Sequence, residues 1–145
     1  MIIADSGFWL ALANRRDHWH QAATAWLAQS REGLITTWPV ATETCHLLLS
    51  RVGEHAQRAF IQSLRDGAAE LFSIEHKHLP RIAELMGQYA DLPMDLADAS
   101  LVVLAEALGH GRILSTDERD FHTYRWKRHA PFDNQLPSLA KRQDA

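Results

Sequence analysis

Short apolar runs, each too brief for a helix, alternate along this chain with stretches of helical periodicity, and that alternation limits the fold more than any other feature. The runs occupy residues 1–4, 34–37, 70–74 and 112–115. Between them apolar side chains recur at helical spacing, as in Trp19, Ala22, Ala23, Trp26 and Leu27, or Leu79, Ile82, Ala83, Met86 and Tyr89. Strands joined through helices run parallel, and a parallel sheet is covered on both faces. The expected class is therefore α/β, with a central, mostly parallel sheet of four or five strands. Residues 124–127 alternate and are the candidate for a weak fifth strand at the edge. Boundary residues agree: Thr37 and Pro39 open a helix, Asp17 caps another, Leu92-Pro93 closes one, and Gly109 ends the helix that begins near Asp95. A length of 145 residues suits one domain, placed at 1–133, with a polar tail over 134–145 expected to fray.

Four carboxylates interrupt this pattern where carbon is expected. Asp5 ends the first apolar run and Asp117 follows the last, while Glu43 and Asp98 sit on the apolar stripes of their helices. A charge drawn toward the interior is costly unless a cation or hydrogen bonds meet it. No lysine or arginine stands at matching spacing for all four, whereas one divalent cation satisfies the group. Topology allows them to meet: ligands gather at the carboxyl ends of parallel strands, where Asp5 and Asp117 fall, and helix beginnings point to that same rim. Some have an ordinary explanation, capping for Asp5 and a first-turn position for Asp98, whereas Glu43, on an apolar stripe, gains nothing from capping. Asp95 is fully accounted for as an N-cap, and Asp120 reads equally well as a fifth acid or a turn residue.

Composition excludes several other functions. No apolar run approaches the length of a membrane span, and the strand-like start at Met1 argues against a cleaved signal. The single cysteine, Cys45, forbids an internal disulfide and points to a reducing cytoplasm; beside Leu48 and Leu49 it reads as core. His18/His20 and His76/His78 do not face one another on a helix, so zinc is disfavoured and they read as surface or capping residues. Trp9, Trp19, Trp26 and Trp38 read as core. A net charge of −3 does not announce a nucleic-acid binder. From Phe121 to Phe132, however, the acid-free stretch gathers Arg125, Lys127 and Arg128, which together with Arg119 are candidates for phosphate contacts.

The stretches Ile3-Ala4-Asp5-Ser6, Pro39-Val40-Ala41-Thr42-Glu43, Leu92-Pro93-Met94-Asp95-Leu96-Ala97-Asp98-Ala99 and Ile113-Leu114-Ser115-Thr116-Asp117-Glu118-Arg119-Asp120-Phe121 resemble, in order and spacing, the PIN-domain ribonucleases. The likeness is strongest to the VapC-like toxins of type II toxin–antitoxin modules. It implies a three-layer α/β/α PIN-like domain whose acidic quartet, Asp5, Glu43, Asp98 and Asp117, binds Mg²⁺ or Mn²⁺ and cuts RNA. Ser6 and Thr116 are implied as supporting hydroxyls, and Ser115 is expected to carry no particular role. The resemblance further implies a small antitoxin partner, and the apolar helical surface around Phe60 and Leu64 is a candidate interface for it or for a homodimer, or else ordinary core.

In such a site a metal-activated water attacks the phosphodiester, giving a 5′-phosphate and a 3′-hydroxyl, and the crowded carboxylates have raised, mutually dependent pKa values without metal. The alternative is a non-catalytic RNA- or partner-binding module that keeps the acids as a structural metal site. Aspartyl-phosphate chemistry is disfavoured because a second aspartate is needed at position 7, which is Gly7.

Overall fold

The computed structural model describes residues 1–136. Their order is β1 (Ile2–Ala4), α1 (Ser6–Ala13), α2 (His20–Gln29), β2 (Leu34–Thr37), α3 (Trp38–Arg51), α4 (Glu54–Arg65), β3 (Glu70–Phe72), α5 (Leu79–Gln88), α6 (Leu96–Leu108), β4 (Arg112–Leu114), α7 (Glu118–Thr123), β5 (Arg125–Trp126), β6 (Ala130–Pro131) and β7 (Asp133–Asn134). A 3₁₀ turn at His76–His78 leads into α5.

Five strands form one parallel sheet in the order β3-β2-β1-β4-β7, flanked by helices in the expected PIN-like arrangement. The alternation of side chains along a strand feeds two separate cores. Ile2, Ala4 and Leu34 face Phe8, Trp9, Trp26, Leu48 and Phe60 from α1 to α4. Ile3, Ile35 and Ile113 face Ile82, Leu85, Leu101, Leu104, Phe121 and Tyr124 from α5 to α7. Every residue of β1 and β2 is therefore buried, as in strands covered on two sides.

The chain moves outward from β1 through β2 to β3, then returns to place β4 on the other side of β1. The reversal opens a crevice between β1 and β4 at their carboxyl ends, the ordinary ligand position in an open α/β sheet. Register fixes what lies there: Ala4 pairs with Leu114, so Asp5 and Ser115 emerge side by side, and the Asp5 amide donates to the Leu114 carbonyl at 3.0 Å.

Three expectations change. Residues 124–127 do not join the sheet; β5 pairs only with β6, in a small antiparallel hairpin. The fifth strand is β7, registered on β4 through Arg112 with Asp133 and Ile113 with Asn134. Structure thus continues beyond the boundary at 133, and Leu136 is wholly buried in the first core. The remainder of the expected tail, 137–145, lies outside the described residues. Trp38 is not core: it is 53% exposed, whereas Trp9 and Trp26 are buried.

Candidate functional site

Each acid reaches the carboxyl rim through a local rule of chain geometry. Asp5 ends β1 in extended conformation and is the N-cap of α1, its Oδ1 accepting from the Ser6 amide at 2.7 Å. Asp98 occupies the first turn of α6, where its amide donates to the Oδ1 of the N-cap Asp95 at 2.8 Å. Asp117 is the N-cap of α7 and accepts from the Asp120 amide at 3.1 Å. Glu43 lies in the second turn of α3, which opens with Thr37 as N-cap and Pro39 in the first turn. Four helix beginnings therefore converge on one rim, and their positive dipole ends favour negative charge there. The capping explanation and the convergence both hold, because one oxygen can cap while the other faces the rim.

Hydroxyls bridge the acids. Ser6 Oγ donates to Glu43 Oε1 at 2.7 Å, and it stands 3.4 Å from Asp5 Oδ1. Ser115 Oγ donates to Asp5 Oδ2 at 3.0 Å and accepts from the Asp117 amide at 3.0 Å. Contrary to the expectation of no particular role, Ser115 thus stands between two of the acids. Thr116 stacks directly over Gly7, and a Cβ added at position 7 would come within 3.1 Å of Thr116 Cβ and nearer still to its hydroxyl. Glycine at 7 is thus what allows the ends of β1 and β4 to close together.

The acids are held above their ordinary pKa values, primarily by burial. Asp5 is pushed up to about 6 by desolvation, opposed by the Ser6 amide and Ser115 hydroxyl and reinforced by the charges of Glu43 and Asp117. Asp98 rises to about 8 through desolvation, then through the charges of Asp95, Asp5 and Glu43. Asp117 rises to about 6 because it is desolvated and its carboxyl leans on that of Asp120. Glu43 is raised by desolvation, with Ser6 opposing and Asp95 reinforcing. Asp5 thus feels Glu43 and Asp117, Asp98 feels Asp5 and Glu43, and Asp95 and Asp120 belong to the same neighbourhood. Asp95 caps α6 as expected and also contacts Glu43.

Among the described residues no three His, Cys, Asp or Glu side chains close into a preformed metal cluster. The donor set nonetheless suits a hard cation. Every candidate ligand is oxygen, and the protons of the acids are held abnormally tightly. Among the described residues, the acids lack a lysine or arginine partner apart from the Arg119 charge near Asp117. Mg²⁺ keeps several waters and needs only one or two carboxylates directly, so a loose ring of acids fits it.

Several positions escaped the sequence. Tyr124 is buried under the site, and its hydroxyl donates to Asp98 Oδ2 at 3.3 Å. Asn134 clamps Ser115, its Nδ2 donating to the Ser115 carbonyl at 2.9 Å and its Oδ1 accepting the Ser115 amide at 3.2 Å. Neither leaves a local mark, since both act from distant segments. The basic candidates divide. Arg119 lies on α7 two residues from Asp117, whereas Arg125 is spent on the carbonyls of His122, Thr123 and Tyr124. Arg128 pairs with Glu84, and the Lys127 amide donates to Glu106, eight residues beyond Asp98 and so roughly 12 Å along α6.

Comparison with known proteins bears on the family and the fold. The sequence matches the PIN domain family over residues 2–127. Ribonuclease VapC26 of Mycobacterium tuberculosis (strain ATCC 25618 / H37Rv) is 30% identical over 124 residues, which is 86% of this chain and 92% of that protein. Among solved structures, Mycobacterium tuberculosis VapC20, described as a Sarcin-Ricin loop cleaving toxin, superposes with a TM-score of 0.75 at 22% identity, over 82% of this chain and 92% of that one. The last likeness is one of fold. With the family matched across most of its length, this chain belongs to the PIN domain family and is related within it to the ribonuclease VapC26.

Proposed function

We propose that this protein is a metal-dependent endoribonuclease that cuts RNA phosphodiesters with water, and that it serves as the toxin of a toxin–antitoxin pair. The observation that carries the reading is the set of four acids, from four separate segments, with raised pKa values, Ser6 and Ser115 linking Asp5 to Glu43 and to the backbone of Asp117. Asp5, Glu43, Asp98 and Asp117 would hold Mg²⁺, or Mn²⁺ in its place. When bound, that ion would neutralise the scissile phosphate and lower the pKa of a water.

The chain's own groups do the rest. Ser115 and the Ser6 amide fix the Asp5 carboxylate through both oxygens. Tyr124 holds Asp98 from below, and Ser6 orients Glu43. Glu43 and Asp117, both half-buried, are the candidates to accept the proton of the attacking water. Attack by water on phosphorus with departure of the 3′-oxygen leaves a 5′-phosphate and a 3′-hydroxyl. The phosphate backbone would meet Arg119 first, with Arg125, Lys127 and Arg128 on the outer path.

An antitoxin, a homodimer and a cytoplasmic location belong to the same proposal, supported by the kinship with VapC-like proteins. The rival is a non-catalytic RNA- or partner-binding module that keeps the acids as a structural metal site. Incubation of the purified protein with RNA separates them. The proposal expects cleavage in Mg²⁺, none in excess chelator, none with Asp5→Asn, and 5′-phosphate ends. Cleavage that persists in chelator, or a 2′,3′-cyclic phosphate product, refutes it.

A further inference from the structure

A groove of about 780 Å³ includes Glu43 of the acid set, and Asp95, Trp38, Pro39, Ile74 and Leu96 also line it. Trp38, at the first position of α3, is 53% exposed, and Leu96 is 46% exposed. Nothing in the local fold calls for an indole there: the helix start is set by the Thr37 hydroxyl, which accepts from the Val40 amide, and by Pro39. Trp38 and Leu96 line the same groove as Glu43 and Asp95, and contiguous exposed apolar surface rimmed by polar groups marks recognition sites.

We propose that Trp38 is a stacking platform for an unpaired nucleobase of the RNA, seated in this groove next to the scissile phosphate; the inference rests on the RNA-cleaving function proposed above. A base matches the chemistry of the groove. It is flat and neutral, so it is not repelled by Glu43 and Asp95, and its amino groups donate to carboxylates. Hydroxyls of Thr42 and Ser73 and the ring of His46 supply further polar contacts for base edges. Aromatic stacking tolerates every base because each has a π-face. A protein partner on the same face would have to supply its own cation or hydrogen bonds to Glu43 and Asp95, whereas a base meets them with its amino groups. A paired base cannot reach the indole, since stacking needs a face released from the helix.

The test uses the Asp5→Asn protein in Mg²⁺ buffer and a ten-nucleotide single-stranded RNA, with fluorescence anisotropy as readout. Trp38→Ala raises the dissociation constant about five- to hundredfold and Trp38→Phe restores most of it. An abasic scan then finds one position at which removing the base costs nothing further in Trp38→Ala, and a duplex of the same sequence shows no dependence on Trp38. Equal affinity of the Trp38→Ala and parent proteins overturns the proposal, as does absence of RNA binding by the parent. A loss of dimer mass in Trp38→Ala with RNA affinity unchanged also overturns it, by showing the face to be a protein interface. Metal-dependent cleavage by the wild-type chain, assayed in parallel, does not depend on any of these outcomes and keeps failure of the stacking site distinct from failure of the nuclease function.

Discussion

Replacing Asp5 by asparagine should abolish activity and yet stabilise the metal-free protein. Asp5 is 6% exposed and its carboxyl is raised from 3.8 to about 6, chiefly by burial. A folded-state value above the unfolded one means that the native protein binds the proton more tightly, so stability is greatest below pH 4. It falls as pH rises from about 4 to 6 and levels off beyond. The difference at neutral pH amounts to about 3 kcal/mol of destabilisation from the ionised side chain. Asparagine carries no charge and can still accept from the Ser6 amide, while its amide donates to Ser115 in place of the bond that Ser115 now makes to Asp5. Allowing roughly 1 kcal/mol for imperfect hydrogen bonding leaves a net gain of about 2 kcal/mol, or about 5 °C in melting temperature for a domain of this size. Thermal denaturation followed by circular dichroism in chelator at pH 7.5 checks this. Below pH 4, where Asp5 is protonated in both states, the gap should close and reverse, leaving the wild type ahead by roughly the 1 kcal/mol of hydrogen bonding. Saturating Mg²⁺ should also narrow it, because the ion stabilises the wild type by mass action and Asp5→Asn less. A variant no more stable than the wild type at pH 7.5, or a gap indifferent to pH, refutes the reasoning that Asp5 is held ionised at a cost only a cation removes.

Other consequences are as direct. Gly7→Ala drives a methyl into Thr116 and should cost about 1–3 kcal/mol in chemical denaturation while lowering activity, with partial recovery in the Gly7→Ala/Thr116→Ala double variant. Ser115→Ala removes the hydroxyl shared by Asp5 and the Asp117 amide; it should raise the Asp5 pKa, measured by NMR titration, and reduce cleavage with the fold retained. Leu136→Ala should destabilise by about 2–5 kcal/mol in urea titration, because the side chain is wholly buried in the α1–α4 core.

What the sequence made legible was set by local chemistry. Strands β1, β2 and β4 announce themselves as compact apolar runs, and Thr37, Pro39 and Gly109 mark helix ends by their backbone preferences. The four acids stood out because a carboxylate on an apolar stripe has few innocent explanations. Strand β7 did not, since Asp133 and Asn134 are polar and join the sheet only because β4 offers an open edge. Tyr124 and Asn134 escaped for a related reason: each meets the site across 19 or more positions of sequence, through contacts that only the folded chain creates. Ser115 escaped because its hydroxyl gains importance only from the register that sets it beside Asp5. Trp38 was misplaced because large aromatics are usually core, and periodicity alone does not distinguish the face of α3 that lines the groove.

The measurement closest to the central claim is the location of a bound cation. Crystals of the protein soaked in Mn²⁺, with data collected for anomalous scattering, should show a peak in the β1/β4 crevice. That peak should be coordinated by Asp5 or Asp98 directly, with Glu43 or Asp117 joining through water or carboxylate oxygen, and it should vanish in Asp5→Asn. A saturating soak that leaves the crevice empty, or places manganese only elsewhere on the surface, contradicts the account.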